Sequence, residues 1–516
     1  MPSAQLARPL LNAVIAFALL TGGSLLLFAA LLAADHPGFA GAPSPWALAA
    51  DPAVRDVLSG VSEVTVAVLG VAITVVAILV ELAATRFTPR ISEMFLRDPV
   101  NGAVMGFFVI TTVVVFWGAA SLHMQPHPTG LALAMIGLIS LSLLTVMPYF
   151  AYVFYFLTPD QVIASIRRRA VDGLRMARRG RVVDGQLRLL GGTEELGELA
   201  LNALDNQDKA IAIEAVGALR DVALQSLAEK DSMPALWFGV SGPVRHDQDF
   251  VALHDDILRQ VEARRTWVEM KVLRQYQAIF TAASQRLTDV AHMVAIHTRV
   301  LGEEALARRD GEMLRAVVRF LNTYLRASIN KGDIRTAYNL LNEYRGLAER
   351  TLTEEDRELA LELAEHFKYY GQISFQRQLA FILEVVAYDM CSLLELAHQR
   401  QWSGHDALLD IFLELDREPE DGGHHQESAL RGVRKAQVKL ATYYLVHDEA
   451  RRARRIFADM RDETPARLRS IHDELGAITQ AEYWEVSDRG INFDWLPDAQ
   501  RARLADFFGW FDDARV

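Results

Sequence analysis

Cysteine is almost absent. The 516 residues include one, Cys391, so no disulfide can form within the chain. That thiol falls in a helical pattern over 381–398, where a buried small hydrophobe is the ordinary role and a nucleophile the rare one. A basic excess is missing as well: the net charge of −12 at pH 7 argues against a general nucleic-acid binder, which needs a positive surface. No alternating apolar–polar run of strand length stands out, so a sheet is not expected.

Catalytic signatures are equally scarce. Gly191-Gly-Thr-Glu-Glu195 lacks the lysine and the spacing of a phosphate-binding loop. His246-Asp247 and His254-Asp255-Asp256 resemble fragments of a metal-dependent phosphohydrolase, without a well-placed upstream histidine or distant aspartate. His292 and His297 are five apart on a helical pattern and point in different directions, a poor metal pair. His424 and His425 lie in a glycine-rich loop. The chain is therefore read as a non-enzyme, with no metal and no cofactor.

What it has in quantity is apolar sequence, and nearly all of it before residue 158. Runs at about 10–33, 61–84, 103–123 and 131–157 each reach the roughly 20 residues that cross a bilayer. Arg8 and Ala33-Ala-Asp35 imitate a secretory signal. The apolar core between them exceeds the roughly 7–15 residues of a signal, so an uncleaved anchor is expected. Orientation follows from the arginines. The link 35–60 has only Arg55, and 124–130 has none, whereas Arg86, Arg90 and Arg97 follow the second run and seven arginines from Arg167 to Arg181 follow the fourth. Both termini are thus expected in the cytoplasm. Tyr149, Tyr152 and Tyr155 at the end of the fourth run suit the lipid–water boundary. Pro148 is expected to bend that helix.

The second run carries a pattern of its own. Spacings of four and three pick out Glu63, Ala67, Gly70, Thr74, Ala77, Glu81, Ala84 and Thr88, all small or polar, while most residues between are Val, Ile or Leu. A helix built this way has one stripe that does not suit lipid. Glu63 and Glu81 are about 27 Å apart along it at 1.5 Å per residue, one carboxylate near each edge of the hydrocarbon. Two readings stay open. The stripe is a dry helix–helix seam of small residues, or it lines a water-filled path with the glutamates as cation-concentrating rings. One striped helix cannot enclose a pore, so the second reading requires several copies of the chain around an axis. Glu63, Ala67, Gly70, Thr74, Ala77 and Glu81 are then the candidate lining, with Arg86, Arg90 and Arg97 at the cytoplasmic mouth. Gly102, Gly106 and the pair Thr111-Thr112 in the third run signal packing more than pathway.

The run Glu81-Leu-Ala-Ala-Thr-Arg-Phe-Thr-Pro-Arg90, followed by Phe95-Leu-Arg-Asp98, resembles the bacterial predicted membrane proteins catalogued as domain of unknown function 2254. The resemblance implies four spans and a cytoplasmic C-terminal part, and it transfers architecture rather than chemistry. Family members usually have an amide residue where Glu81 and Arg86 stand. The likeness is expected to fade near Ile166, within the N-terminal third, because Asn202-Ala-Leu-Asp-Asn-Gln-Asp208 lacks both prolines of the family's loop.

From about 160 onward Val, Leu, Ala and aromatic residues recur at three and four, with breaks near 180–192, 231–249, 329–333, 350–354, 417–428 and 487–497. Residues 332–344 and 439–465 resemble helical hairpins of the tetratricopeptide type without a regular period. The expected fold is an all-α membrane protein: a four-span domain over 1–158, a juxtamembrane helical segment over 159–230, and a repeat-like cytoplasmic helical domain over 250–516. The favoured activity is a homo-oligomeric ion channel regulated or tethered by that domain. The alternative is a membrane-anchored scaffold that recruits a protein partner through it. Partners under the first reading are the lipid bilayer, further copies of the chain and ions; no nucleic acid is expected.

Overall fold

The computed structural model describes residues 52–86, 90–121, 129–353, 357–415, 426–482 and 488–513, with three isolated helical positions at Gly23, Leu26 and Ala30. The expected first span, 10–33, and the pair His424-His425 lie outside the described residues. Among those described, every regular element is helical. The chain divides into two compact units, Met1–Ser165 and Ile166–Val516.

The first unit contains α1 (Pro52–Arg86), a short α2 (Arg90–Leu96), α3 (Pro99–Ser121) and α4 (Thr129–Phe156). Three stretches are long and apolar enough to cross a membrane: Glu63–Thr85, Pro99–Ser121 and Gly130–Phe156. They coincide with the expected second, third and fourth spans. Their many Val and Ile residues are indifferent helix formers in water, but in hydrocarbon only a helix satisfies a lone segment's backbone groups. The spans meet through Leu69, Val76 and Val80 of α1, Phe108 of α3, and Tyr149 and Val153 of α4. Gly118 permits close approach, since a Cβ there would lie 2.5 Å from Sδ of Met135. The helix of α4 continues through Pro148 to Phe156.

The second unit takes up α5 (Pro159–Arg178) from Ile166, then α6 (Val182–Asp205), α7 (Lys209–Glu229), α8 (Asp255–Ala263), α9 (Trp267–Arg286), α10 (Thr288–Ala307), α11 (Gly311–Lys331) and α12 (Ile334–Thr353). After these come α13 (Arg357–Gln376), α14 (Ala380–Gln399), α15 (His405–Leu413), α16 (Gln426–Val446), α17 (Ala450–Asp459), α18 (Pro465–Ala477), α19 (Asp498–Arg501) and α20 (Leu504–Asp513). Neighbours alternate between two rows. One row runs α7, α10, α12, α14, α16 and the other α6, α9, α11, α13, α15. Each amphipathic helix thereby buries its apolar stripe between rows.

Glycine misled the sequence reading at one place. The expected break over 180–192 is a turn of three residues at 179–181, with Gly180 at φ +84°. Gly185, Gly191 and Gly192 belong to α6. A Cβ on Gly173 would sit 2.5 Å from the carbonyl oxygen of Gly185, and one on Gly185 equally close to that of Gly173. These glycines let α5 and α6 touch backbone to backbone, so they are contacts and not breakers. The segment 231–249 is irregular as expected, but it is not a solvated linker. Trp237, Phe238 and Val244 are buried, and the Trp237 carbonyl accepts from Nε1 of Trp267 (2.8 Å) and Nε2 of Gln186 (3.0 Å).

Two buried histidines set an acid limit on this unit. Burial, aided by Arg220 at 3.2 Å, pushes His297 down to about 4. Burial, aided by Arg452, does the same to His405, whose Nε2 meets the Tyr444 hydroxyl at 2.6 Å. An unfolded chain binds these protons near pH 6.5, the folded one only near 4, so stability is complete above the first value and falls as pH drops toward the second. Between pH 7 and pH 5 each histidine is expected to remove on the order of 2 kcal/mol. Urea unfolding followed by circular dichroism checks this: His297→Gln with His405→Gln flattens the pH dependence, and an unchanged slope contradicts it.

Candidate functional site

The stripe on α1 is the first place to look for function, and its orientation is simple. Thr65, Leu69, Ala72, Val76 and Ala83 are buried. Each stands two residues after a stripe member, and two residues are about 200° around a helix of 3.6 residues per turn. The stripe therefore points away from α3 and α4. Glu63, Ala67, Gly70, Thr74, Ala77 and Glu81 are all exposed, and Ala84 is half-buried. A Cβ on Gly70 would meet nothing within 4 Å among the described residues. Val66, Val71, Ile73 and Ile78 flank the stripe and are exposed too. The stripe is a row of small residues flanked by exposed branched ones. The Thr74 hydroxyl donates to the Gly70 carbonyl at 2.9 Å, which satisfies it within the helix.

Of the three arginines expected at the inner mouth, the side chains of Arg86 and Arg90 lie outside the described residues. Arg97 is exposed and pairs with Glu93 at 2.5 Å. Its charge is thus partly spent on its own helical turn. In the third span Gly102 is exposed and Gly106 buried. Thr112 donates to the Phe108 carbonyl at 2.8 Å, and the buried Thr111 hydroxyl has no partner among the described residues.

A polar node at the end of these spans was not anticipated. Asp98 Oδ1 accepts from the backbone N–H groups of Val100 (3.1 Å) and Asn101 (2.9 Å), which caps α3. The same oxygen accepts from the Tyr152 hydroxyl at 2.6 Å. Asn101 donates to the Phe95 carbonyl at 3.0 Å and accepts from the buried Tyr149 hydroxyl at 2.5 Å. Tyr149 and Tyr152 therefore aim their hydroxyls at α2 and α3, and only Tyr155 of the three stands exposed as an interfacial ring would. The signal lay in the pairing of Asp98 with a tyrosine more than fifty positions on, which spacing alone does not disclose.

The fragments weighed as metal ligands are engaged elsewhere. Both carboxylate oxygens of Asp247 accept from Lys271 Nζ (2.8 and 2.9 Å), and Asp249 pairs with the same ammonium at 2.7 Å. An ammonium fills the place between two carboxylates that a cation would take. His254 caps α8 by accepting from the Asp256 N–H at 3.3 Å. His292 faces Glu343 at 3.3 Å while the buried His297 faces Arg220. No group of three potential ligands converges among the described residues. Cys391 is buried with its thiol toward the Ala436 carbonyl at 3.1 Å, and burial pushes its pKa well up, against any nucleophilic role.

Comparison with known proteins adds three findings. The model of a family described as predicted membrane protein, DUF2254, matches residues 6–288, more than half of the chain. The likeness therefore does not fade near Ile166. It continues through α9, and it includes the loop before α7, where Asp208 caps the helix by accepting from the Ile211 N–H. Among curated proteins nothing matches. Among solved structures the chain is similar to a circular tandem repeat protein with novel repeat topology and enhanced subunit contact surfaces. Identity is 15%, coverage 82% of this chain and 97% of that one, and the TM-score 0.29.

Proposed function

Because the chain belongs to the DUF2254 family of predicted membrane proteins, we propose that it forms a homo-oligomeric ion pathway in the bacterial inner membrane. In this reading four spans cross the bilayer, both termini are cytoplasmic, and copies of α1 meet around an axis. One observation carries it: α1 buries Leu69, Ala72, Val76 and Val80 and leaves its glutamate-ended row of small residues exposed. A carboxylate turned to lipid tails costs free energy even near the hydrocarbon edge, though less than at the centre. Water shared between subunits removes that cost. The glutamates then concentrate cations at each end, and Arg97 with Arg86 and Arg90 modulates the inner mouth. The helical unit Ile166–Val516 regulates or tethers, with no catalytic step.

The rival reading is a membrane-anchored scaffold for a protein partner. Its specific support is the size of the helical unit, which holds about two thirds of the chain. Planar bilayers separate the two. Purified protein is expected to pass cations in preference to anions, and Glu63→Gln with Glu81→Gln to lower that preference about tenfold. A protein that never conducts, or a conductance whose selectivity ignores both substitutions, contradicts the pathway and leaves the scaffold.

A further inference from the structure

In the second unit α12, α14 and α16 lie side by side, and the irregular segment 488–497 crosses them. Three anchors hold it. Arg489 donates to Asp389 and to the Tyr338 carbonyl (both 2.6 Å). Phe493 stacks on Tyr388 with ring centroids 5.1 Å apart. Lys435 pairs with Asp494 at 2.7 Å. Between this segment and the three helices is a cavity of about 490 Å³, a size typical of small-molecule sites. Arg345, Asp389, Glu395 and Lys439 form a polar wall, and Ile491, Phe493, Trp495 and Pro497 an apolar one.

The polar wall is incompletely satisfied. Asp389 is 2% exposed; its Oδ1 meets Arg489 and Arg345, while Oδ2 has no partner. Gln500, 7% exposed, leaves Oε1 without one, and Arg489 leaves Nε. Two opposite charges face the cavity without a direct ion pair. Lys439 Nζ donates to the Phe493 carbonyl at 2.9 Å and has no carboxylate within ion-pair distance. No donor reaches the Glu395 carboxylate among the described residues; the one bond made to that residue goes to its backbone oxygen. Burial raises Glu395 and lowers Lys439, and each charge offsets part of the other's shift across the cavity wall.

We propose that this cavity binds a small zwitterion of the α-amino-acid type with an apolar side chain. Its carboxylate meets Lys439, its ammonium meets Glu395, and its side chain packs on Ile491, Phe493 and Trp495. The wall's formal charges cancel, Arg345, Arg489 and Lys439 against Asp389, Glu395 and Asp488. A ligand carrying both charges is accommodated, and one with a single net charge is not. The site is independent of the ion pathway.

Equilibrium binding to the full-length protein in detergent tests this, with radiolabelled L-phenylalanine and L-leucine as probes and 2-phenylethylamine and 3-phenylpropionate as single-charge competitors. Saturable binding of at least one amino acid is expected, with both competitors weaker by about tenfold or more. Glu395→Gln and Lys439→Met should each weaken binding by a similar factor. Melting temperature measured for each variant keeps loss of binding distinct from loss of fold. No saturable binding of either amino acid, equal binding of a single-charge competitor, or affinity indifferent to both substitutions would overturn the assignment.

Discussion

Gly70→Leu is expected to leave the first unit folded and to break the oligomer into monomers. Among the described residues nothing lies within 4 Å of a Cβ at this position, so none of them obstructs a larger side chain. Within the helix the exchange is favourable, because glycine is the poorer helix former by about 1 kcal/mol. Between subunits it is the reverse. Small residues let helix backbones approach closely, and an isobutyl group in the middle of the stripe holds them apart. Self-association is expected to weaken by about a hundredfold or more, roughly 2.7 kcal/mol. Mass measurement in detergent reads the change directly. Ala72→Leu supplies the contrast: Ala72 is buried against the protein's own spans, and overpacking there typically costs about 1–3 kcal/mol of monomer stability.

Lys271→Met is expected to have the largest effect on the second unit. The Lys271 side chain is 0% exposed and lies between Asp247 and Asp249. Removing the ammonium leaves two carboxylates facing each other out of water. Breaking a buried pair in this way costs about 3–5 kcal/mol, a large share of any domain's stability. The loss should appear in urea unfolding of the whole chain as an earlier transition, or as failure of the unit to fold. Neutralising the partners as well, with Lys271→Met, Asp247→Asn and Asp249→Asn together, should recover much of it, because no charge is then stranded. Recovery distinguishes an electrostatic loss from a packing one. If the triple variant is no better than the single, the methionine itself is at fault.

Much of the architecture was legible because apolar length and helical period are local properties. Runs read at 61–84, 103–123 and 131–157 became helices Pro52–Arg86, Pro99–Ser121 and Thr129–Phe156, and the pattern over 381–398 around Cys391 became Ala380–Gln399. The stripe on α1 was also visible as a spacing. Its direction was not, since a row of small residues is equally at home buried or exposed, and only the placement of Leu69 and Val76 against α3 and α4 decides which. The break read over 180–192 ends at 181, and Gly185 and Gly192 lie inside α6, where the lack of a side chain lets α5 approach. Tyr149 and Tyr152 were assigned by composition to the membrane boundary, and their hydroxyl partners Asn101 and Asp98 lie about fifty residues earlier, on α3 and in the turn before it. The cavity in the second unit was beyond reach for the same reason. Arg345, Asp389, Glu395, Lys439 and the segment after 488 converge only through tertiary packing, and no single stretch carries their chemistry.

The central claim is that α1 presents Gly70, Thr74 and Ala77 to another copy of itself. Disulfide crosslinking in native membranes tests it most directly, with Thr74→Cys introduced after Cys391→Ala removes the buried thiol. The account predicts efficient covalent dimers from Thr74→Cys and none from Val76→Cys on the opposite face. No crosslink at position 74, or equal yields at 74 and 76, would contradict it.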